Sequence, residues 1–194
     1  MDELKKLLKD ELGFLPEGDG MDRLLERGDW FSCPGRTMLV EAGKKATDVL
    51  IVREGIVRFW DMDGDKERTF AFGLPGSLMQ NKHSFVMHLP SYFNVETCCP
   101  TTILRISEKD FWEVVNSDHS LTLWMLHYAY GELFFQEHKN SKTHNGTAWD
   151  RFKAMLGDRP MIMEKVPQRI VASYLGITPE YFSSLKRRFL RERK

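Results

Sequence analysis

Residues 166–188 read VPQRIVASYLGITPEYFSSLKRR, and the spacing of their apolar residues decides how the C-terminal quarter folds. Pro167 suits the first turn of a helix, where its missing N–H has no partner to lose. Ile170, Val171, Tyr174 and Leu175 give that helix an apolar face. Gly176 then supplies a residue free of Cβ strain where a tight turn must follow. Thr178 and Pro179 start a second helix, the hydroxyl as cap and the proline preset at the first position. Within it Phe182, Leu185 and Phe189 share one face, while Glu180, Ser184, Arg187 and Arg191 fall opposite, flanked by Lys186 and Arg188. Two short helices around a glycine turn, the second with outward cations, make a helix-turn-helix.

The outward face has the chemistry of a reader of double-stranded DNA. An acid near a helix N-terminus can accept from cytosine N4, and an arginine can fork onto guanine or hold a phosphate. Flanking cations position such a unit on the duplex backbone. The candidate DNA-contacting residues are Gln168, Arg169, Thr178, Glu180, Ser183, Ser184, Lys186 and Arg187. Charge points the same way. The 194-residue chain is formally neutral, yet residues 1–150 hold 17 basic and 24 acidic residues, a net of −7, and residues 151–194 hold 11 and 4, a net of +7. A basic tail on an acidic body implies a polyanion partner for the tail alone, although a solvated basic helix would carry the same charge.

Upstream, residues 1–28 look helical, ending near Gly28. From Trp30 to about Ile106 the texture changes to short apolar or alternating runs, among them MLVEAG, DVLIVREG, IVRFWDMDG and TFAFGLPG. Such runs, punctuated by Gly, Asp and Pro, predict a small sandwich or barrel of short strands. Asp63-Gly64 marks a hairpin turn, and NVETCCPTTILRI gives two strands broken at Pro100. SEKDFWEVV starts a helix with Ser107 as N-cap and Asp110 in its first turn.

Residues 117–142 form one long helical pattern with two apolar stripes. Leu121, Trp124, Tyr128 and Phe135 make the first, and Leu123, Leu126, Tyr130 and Leu133 the second. One stripe docks a helix on its own domain. A second needs another partner, most simply the same helix of a second subunit, so a homodimer is expected. A helix buried all round within one monomer would show the same pattern. Asn145-Gly146-Thr147 breaks the pattern, Thr147 caps a further helix TAWDRFKAML, and Gly157–Pro160 ends it.

Other constellations carry less. Three cysteines, Cys33, Cys98 and Cys99, cannot make a disulfide framework and fall short of the roughly four ligands of an iron–sulfur centre. Cys98 and Cys99 read as packing residues on a strand, one buried and one half-exposed. His83 and His88 lie in a loop without a third ligand and read as surface or polar-lined histidines. A cupin-type enzyme would need a His-x-His plus Glu set, which is missing, so the chain is not expected to be an enzyme and no cofactor is assigned. No run approaches the ~20 apolar residues of a membrane span. The opening MDELKKLLKDELGFL is charged and amphipathic rather than a secretory leader, so a cytoplasmic chain with no membrane partner is expected.

From about Phe31 to Arg188 the order of these parts resembles the Crp/Fnr superfamily of bacterial transcription factors. FSCPGRTMLVEAGKKATDVLIVREGIVRFWDMDGDKERTFAFGLPGS stands where that family has its β-roll, followed by the long helix and the helix-turn-helix. The string PQRIVASYLGITPE looks most like the branch found in Bacteroidetes-type genomes. The resemblance implies an α+β chain with an N-terminal cyclic-nucleotide-binding-like double-stranded β-roll (jelly-roll) and flanking helices over residues 1–116. It implies a long dimerisation helix over 117–145 and a winged-type helix-turn-helix over 146–194. It also implies a homodimer, a small-molecule effector in the roll, a recognition helix in the major groove of double-stranded DNA, and RNA polymerase as a further partner. The effector pocket would be lined by Gly76, Ser77, Leu78, Ser91, Tyr92, Phe93, Trp124 and Tyr128.

Members that bind cyclic nucleotides resemble one another in a Gly-Glu pair for the ribose and an Arg for the phosphate. This sequence has Gly76-Ser77 and Ser91 at those places. Burying a phosphate without a cation is unfavourable by several kcal/mol, so cyclic AMP is not expected as the effector unless Lys82 or Arg58 substitutes. Phe85, Met87, Leu89, Tyr92 and Phe93 suit either a packed core or a pocket for an aromatic or apolar molecule. In the second helix Glu180 matches the family's acidic base-reader, whereas Ser184 stands where the family has an Arg. The operator should differ accordingly, with Lys186 or Arg187 taking over a contact. The competing reading is a sensor whose C-terminal helices dock a protein.

Overall fold

Strand β3 (Val49–Glu54) shows how the sequence is sorted between two cores. Its run VLIV is continuously apolar because both faces are covered: Leu50 and Val52 point into the space between two sheets, and Val49 and Ile51 point to helices behind. This computed structural model describes residues 1–143 and 146–192, with the side chains of 135, 136 and 138–143 outside the described set. Besides β3 the strands are β1 (Asp29–Cys33), β2 (Met38–Val40), β4 (Val57–Asp63), β5 (Lys66–Gly73), β6 (Leu78–Gln80), β7 (Asn94–Thr97) and β8 (Thr101–Ile106). They form two four-stranded antiparallel sheets, ordered β1-β8-β3-β6 and β2-β7-β4-β5. The β4–β5 hairpin pairs Asp63 with Lys66, so its two turn residues are Gly64 and Asp65, one step later than the sequence suggested. Between the sheets lie Val40, Leu50, Val52, Val57, Met79, Phe93, Val95 and Ile103.

The expected N-terminal helix is two helices, α1 (Asp2–Leu12) and α2 (Gly20–Glu26). Gly13 adopts a left-handed conformation at φ 86° and its N–H closes α1 onto Lys9 O, while Pro16 and Gly18 keep the chain irregular until α2. The segment read as a loop around the two histidines contains helix α3 (Lys82–Met87), started by Asn81, whose side chain accepts from Ser84 N. Helix α4 (Glu108–Ser117) begins as expected at Ser107. Asp118 separates it from α5 (His119–Thr143) and caps the new helix by accepting from Leu121 N at 2.9 Å.

Helices α1, α2, α4 and α5 cover the outer face of the first sheet with Leu4, Leu8, Leu24, Leu25, Phe111, Leu121 and Trp124. Each such buried side chain contributes about 1.5–3 kcal/mol. The two stripes of α5 part company here. Leu121 and Trp124 are buried and Tyr128 half-buried, whereas Leu123, Leu126, Tyr130 and Leu133 are exposed at 43%, 51%, 63% and 60%. Burial on all sides within one chain is therefore excluded for this helix. The Phe135 side chain and Asn145 lie outside the described residues.

The C-terminal module comprises α6 (Ala148–Asp158), α7 (Met161–Lys165), α8 (Gln168–Tyr174) and α9 (Pro179–Glu192). Thr147 and Asp150 form a reciprocal capping box at the start of α6. No strand follows Ile106 among the described residues, so the winged form implied by the resemblance is not seen. The short α7 fills the span between α6 and α8, and LKRRFLRE, free of Gly, Pro and β-branched residues, carries α9 on as helix. The module's core of Phe152, Met155, Ile162, Ile170, Val171, Leu175, Phe182 and Leu185 is continuous with Ile56, Leu74 and Cys98 of the roll. Cys98 is buried, which pushes its thiol up to about 12, and Cys99 is half-buried beside it in the bend between β7 and β8 rather than in a strand.

Candidate functional site

Gly176, at φ 66°, turns the chain between α8 and α9, and Ile177 N–H closes back on Ala172 O at 3.0 Å. Left-handed backbone of this kind favours glycine. Thr178 then starts α9: its hydroxyl accepts from Tyr181 N at 3.2 Å and its carbonyl from Phe182 N at 2.9 Å. Phe182 and Leu185 are buried, and Phe152 meets both Phe182 and Phe189 edge-on with centroids 5.8 Å apart. With one face so fixed, Glu180, Ser183, Ser184, Arg187 and Arg191 are all exposed on the other.

The exposed face is internally ordered. Ser183 donates to Pro179 O at 3.0 Å and Ser184 to Glu180 O at 3.2 Å, while Arg187 Nη2 donates to Ser184 Oγ at 3.3 Å. The Glu180 carboxyl is held below the usual carboxylate range, first by its own backbone N–H and then by the Thr178 hydroxyl, so it stays a hydrogen-bond acceptor. A groove of about 430 Å³ runs along Ser184, Arg187, Arg188, Arg191 and Glu192. Arg188 differs from its neighbours: its guanidinium lies over the Trp149 ring at 4.4 Å and donates to Glu192 Oε1 at 2.8 Å. It anchors α9 to α6. Of the eight residues singled out in the sequence, Glu180, Ser183, Ser184 and Arg187 share the exposed face, Thr178 is exposed at the head of the helix, Lys186 is half-buried at its margin, and Gln168 and Arg169 are exposed at the start of α8.

Four of the eight residues expected to line an effector pocket are divided between two cores. Leu78 and Trp124 belong to the core behind the first sheet, with Tyr128 packed against it. Trp124 Nε1 donates to Phe14 O at 3.0 Å, and Tyr128 OH, whose ionisation burial suppresses, donates to Leu78 O at 2.9 Å. Phe93 belongs to the core between the sheets and contacts Phe59 and Phe70 with centroids 5.9 and 5.7 Å away. Tyr92, 69% exposed, lies edge-on to both Phe93 and His83, so a string of aromatic rings runs from the surface into the roll.

The residues at the expected cyclic-nucleotide contacts are already bonded within the chain. Ser91 is buried and occupied: Asn81 Nδ2 donates to its hydroxyl at 2.6 Å, and the hydroxyl donates to Phe93 O at 2.6 Å. Ser77 Oγ accepts from Leu74 N at 2.9 Å and donates to Glu11 at 3.2 Å. Arg58 is the one charged residue among the described buried side chains, and two carboxylates already neutralise it. Glu96 Oε2 lies 2.5 Å and Glu67 Oε2 2.8 Å from its Nη2. Lys82 is exposed and paired with Glu132 at 3.2 Å. Lys82 and Arg58 are thus both already paired with carboxylates.

Against this geometry, residues 30–118 match the family model described as "Cyclic nucleotide-binding domain". Curated protein sequences yield no match. Solved structures yield many. FixK2 from Bradyrhizobium japonicum is 20% identical over 85% of each chain, with a TM-score of 0.71. The chain shares that structure's fold. A CooA variant from Carboxydothermus hydrogenoformans is 21% identical over 96% of this chain and 84% of its own, with a TM-score of 0.65. The c-di-GMP-responsive global regulator CLP of Xanthomonas campestris is 17% identical over 89% and 91%, with a TM-score of 0.67.

The residues that join roll and C-terminal module had no sequence signal. Ser173 Oγ accepts from Thr69 N at 2.9 Å and donates to Glu67 O at 3.0 Å, engaging the backbone edge of β5. Tyr174 contacts Phe72 with centroids 4.9 Å apart. Glu11 and Arg159 pair at 3.2 Å across 148 positions of sequence. Periodicity within one element carries no trace of such pairs.

Proposed function

We propose that the chain is a homodimeric DNA-binding transcriptional regulator under control of a small molecule held by the roll. The observation that carries this reading is the exposed face of α9. Its acid, two hydroxyls and two arginines stand in one row, while Phe182 and Leu185 fix the opposite face in the core. Glu180 would read a base edge, Arg187 and Arg191 would hold guanine or phosphate, and Lys186, Gln168 and Arg169 would contact the backbone. The exposed stripe of α5 supports pairing with a second copy, which would present two α9 helices to successive major grooves about 34 Å apart on a pseudo-palindrome. RNA polymerase would be a further partner, and the aqueous cytoplasm the setting. No described helix is long and apolar enough to cross a membrane.

The effector in this reading is apolar or aromatic rather than a cyclic nucleotide. Its support is the ring string from Tyr92 through Phe93 to Phe59 and Phe70, together with the absence of a free buried cation among the described residues. Two experiments test the proposal. Sedimentation should give a dimer that Leu126→Glu converts to monomer, and gel shift should show the monomeric variant binding duplex DNA more weakly. A wild-type monomer, or duplex affinity unaffected by Leu126→Glu, would refute the symmetric reading. A thermal-shift screen should favour small aromatics over cyclic nucleotides, with ligand at about 100 times its Kd stabilising by about 2.7 kcal/mol.

A further inference from the structure

The turn at residues 74–77 is held from both sides by other parts of the chain. Gly76 is at φ 91°, and a Cβ there would collide with the carbonyl oxygen of Leu7, so the backbone of α1 lies directly on the turn. The turn is stitched to β3 by Gly76 N to Val52 O at 2.8 Å and Val52 N to Ser77 O at 3.2 Å. On its other side Ser77 Oγ donates to Glu11 Oε1 at 3.2 Å. The same oxygen, Glu11 Oε1, accepts from Arg159 Nη1 at 3.2 Å. Arg159 ends α6 in the C-terminal module, its N–H closing that helix on Met155 O at 2.9 Å.

We propose that α1 is the transmission element of this protein: Glu11 clamps the sensor's 74–77 turn and the C-terminal module onto one carboxylate. A ligand that displaces the turn then displaces Arg159 and, through α6, the recognition helix. The route is short, because Phe152 of α6 touches Phe182 and Phe189 of α9. It does not pass through the long helix α5, which meets the neighbouring residue through Tyr128 OH to Leu78 O at 2.9 Å. Ser173 on the β5 edge supplies a second attachment, so that a shift of α6 is converted into rotation about α8 rather than free detachment. The regulatory meaning of this link rests on the DNA-binding reading, but the link itself is testable without DNA.

The test is amide hydrogen exchange on the full chain, comparing wild type with Arg159→Ala, Glu11→Ala and the double variant. A part-exposed ion pair supports a change of about two- to five-fold in local opening. Arg159→Ala, a change in the C-terminal module, should speed exchange of the Gly76 and Ser77 amides in the sensor by that factor. Glu11→Ala should do the same, the double variant should add nothing further, and Arg159→Lys should restore most of the protection. Unchanged Gly76 and Ser77 amides in Arg159→Ala, or strictly additive effects in the double variant, would overturn the proposal. Because the readout is exchange, a failure of duplex binding would count against the proposed function alone.

Discussion

Two arginine sites in this chain are built on opposite principles. Arg58, 3% exposed, is answered from within: Glu96 and Glu67 reach its guanidinium, and the Trp60 ring lies 4.9 Å away. Arg187 stands on the open face of α9 and reaches a hydroxyl, with no carboxylate paired to it among the described residues. A buried charge obliges the protein to supply its own counter-ion. A charge left in water costs little and keeps its attraction for an outside anion. Of the two, only Arg187 is left without a carboxylate partner among the described residues.

The comparison can be broken at the platform, at the closed site or at the open one, in order of falling effect. Phe182→Ala empties the core that fixes the face of α9 and should destabilise the protein by about 3–5 kcal/mol in urea unfolding. A loss under about 1 kcal/mol would mean that the face is not held by packing. At the closed site, Glu96→Ala leaves Arg58 with Glu67 alone and should destabilise by about 3 kcal/mol. At the open site, Arg187→Ala should change stability by no more than about 0.5 kcal/mol. That same change should reduce the slope of log affinity for duplex DNA against log salt by about one if the contact is to phosphate. A variant as salt-sensitive as wild type would remove Arg187 from the phosphate-contacting set.

The smallest effect is in acid. Three carboxylates are held below their ordinary values: Asp118 first by the Leu121 N–H and then by Arg23, Asp150 by the Thr147 hydroxyl, and Glu180 by its own N–H. Since their folded-state values are depressed, the stability they give is present above the unfolded values of 3.8 and 4.5 and is lost as pH falls through the folded ones. Thermal midpoints should be flat at neutral pH and fall below about pH 4, with Asp118→Asn flattening part of that fall. A midpoint already falling near pH 6 would contradict the assignment.

Much of the fold was legible because it is written locally. Ser107, Thr147 and Thr178 cap helices where a hydroxyl followed by a helix former says they should. The two stripes of α5 and the apolar face of α9 follow from a 3.6-residue period. What was not legible is what one element cannot state about another. Gly13 ends the first of two helices where residues 1–28 looked helical throughout. Asn81 made a helix from a stretch whose histidines drew attention to metal chemistry instead. Arg58 stayed open as a substitute phosphate ligand because nothing local reveals that Glu96 and Glu67 arrive from other strands. The effector residues were grouped by their place in the sequence, and the sheets sorted Trp124 and Phe93 to opposite sides of a strand layer.

The most direct test of the central claim is a titration of the wild-type chain with a labelled mixed-sequence DNA duplex at about 50 and 200 mM salt. Binding at the lower salt that weakens steeply at the higher is the predicted result, since several cations of each α9 would release counter-ions from phosphate. No binding at the lower salt, or an affinity indifferent to salt, would contradict the account.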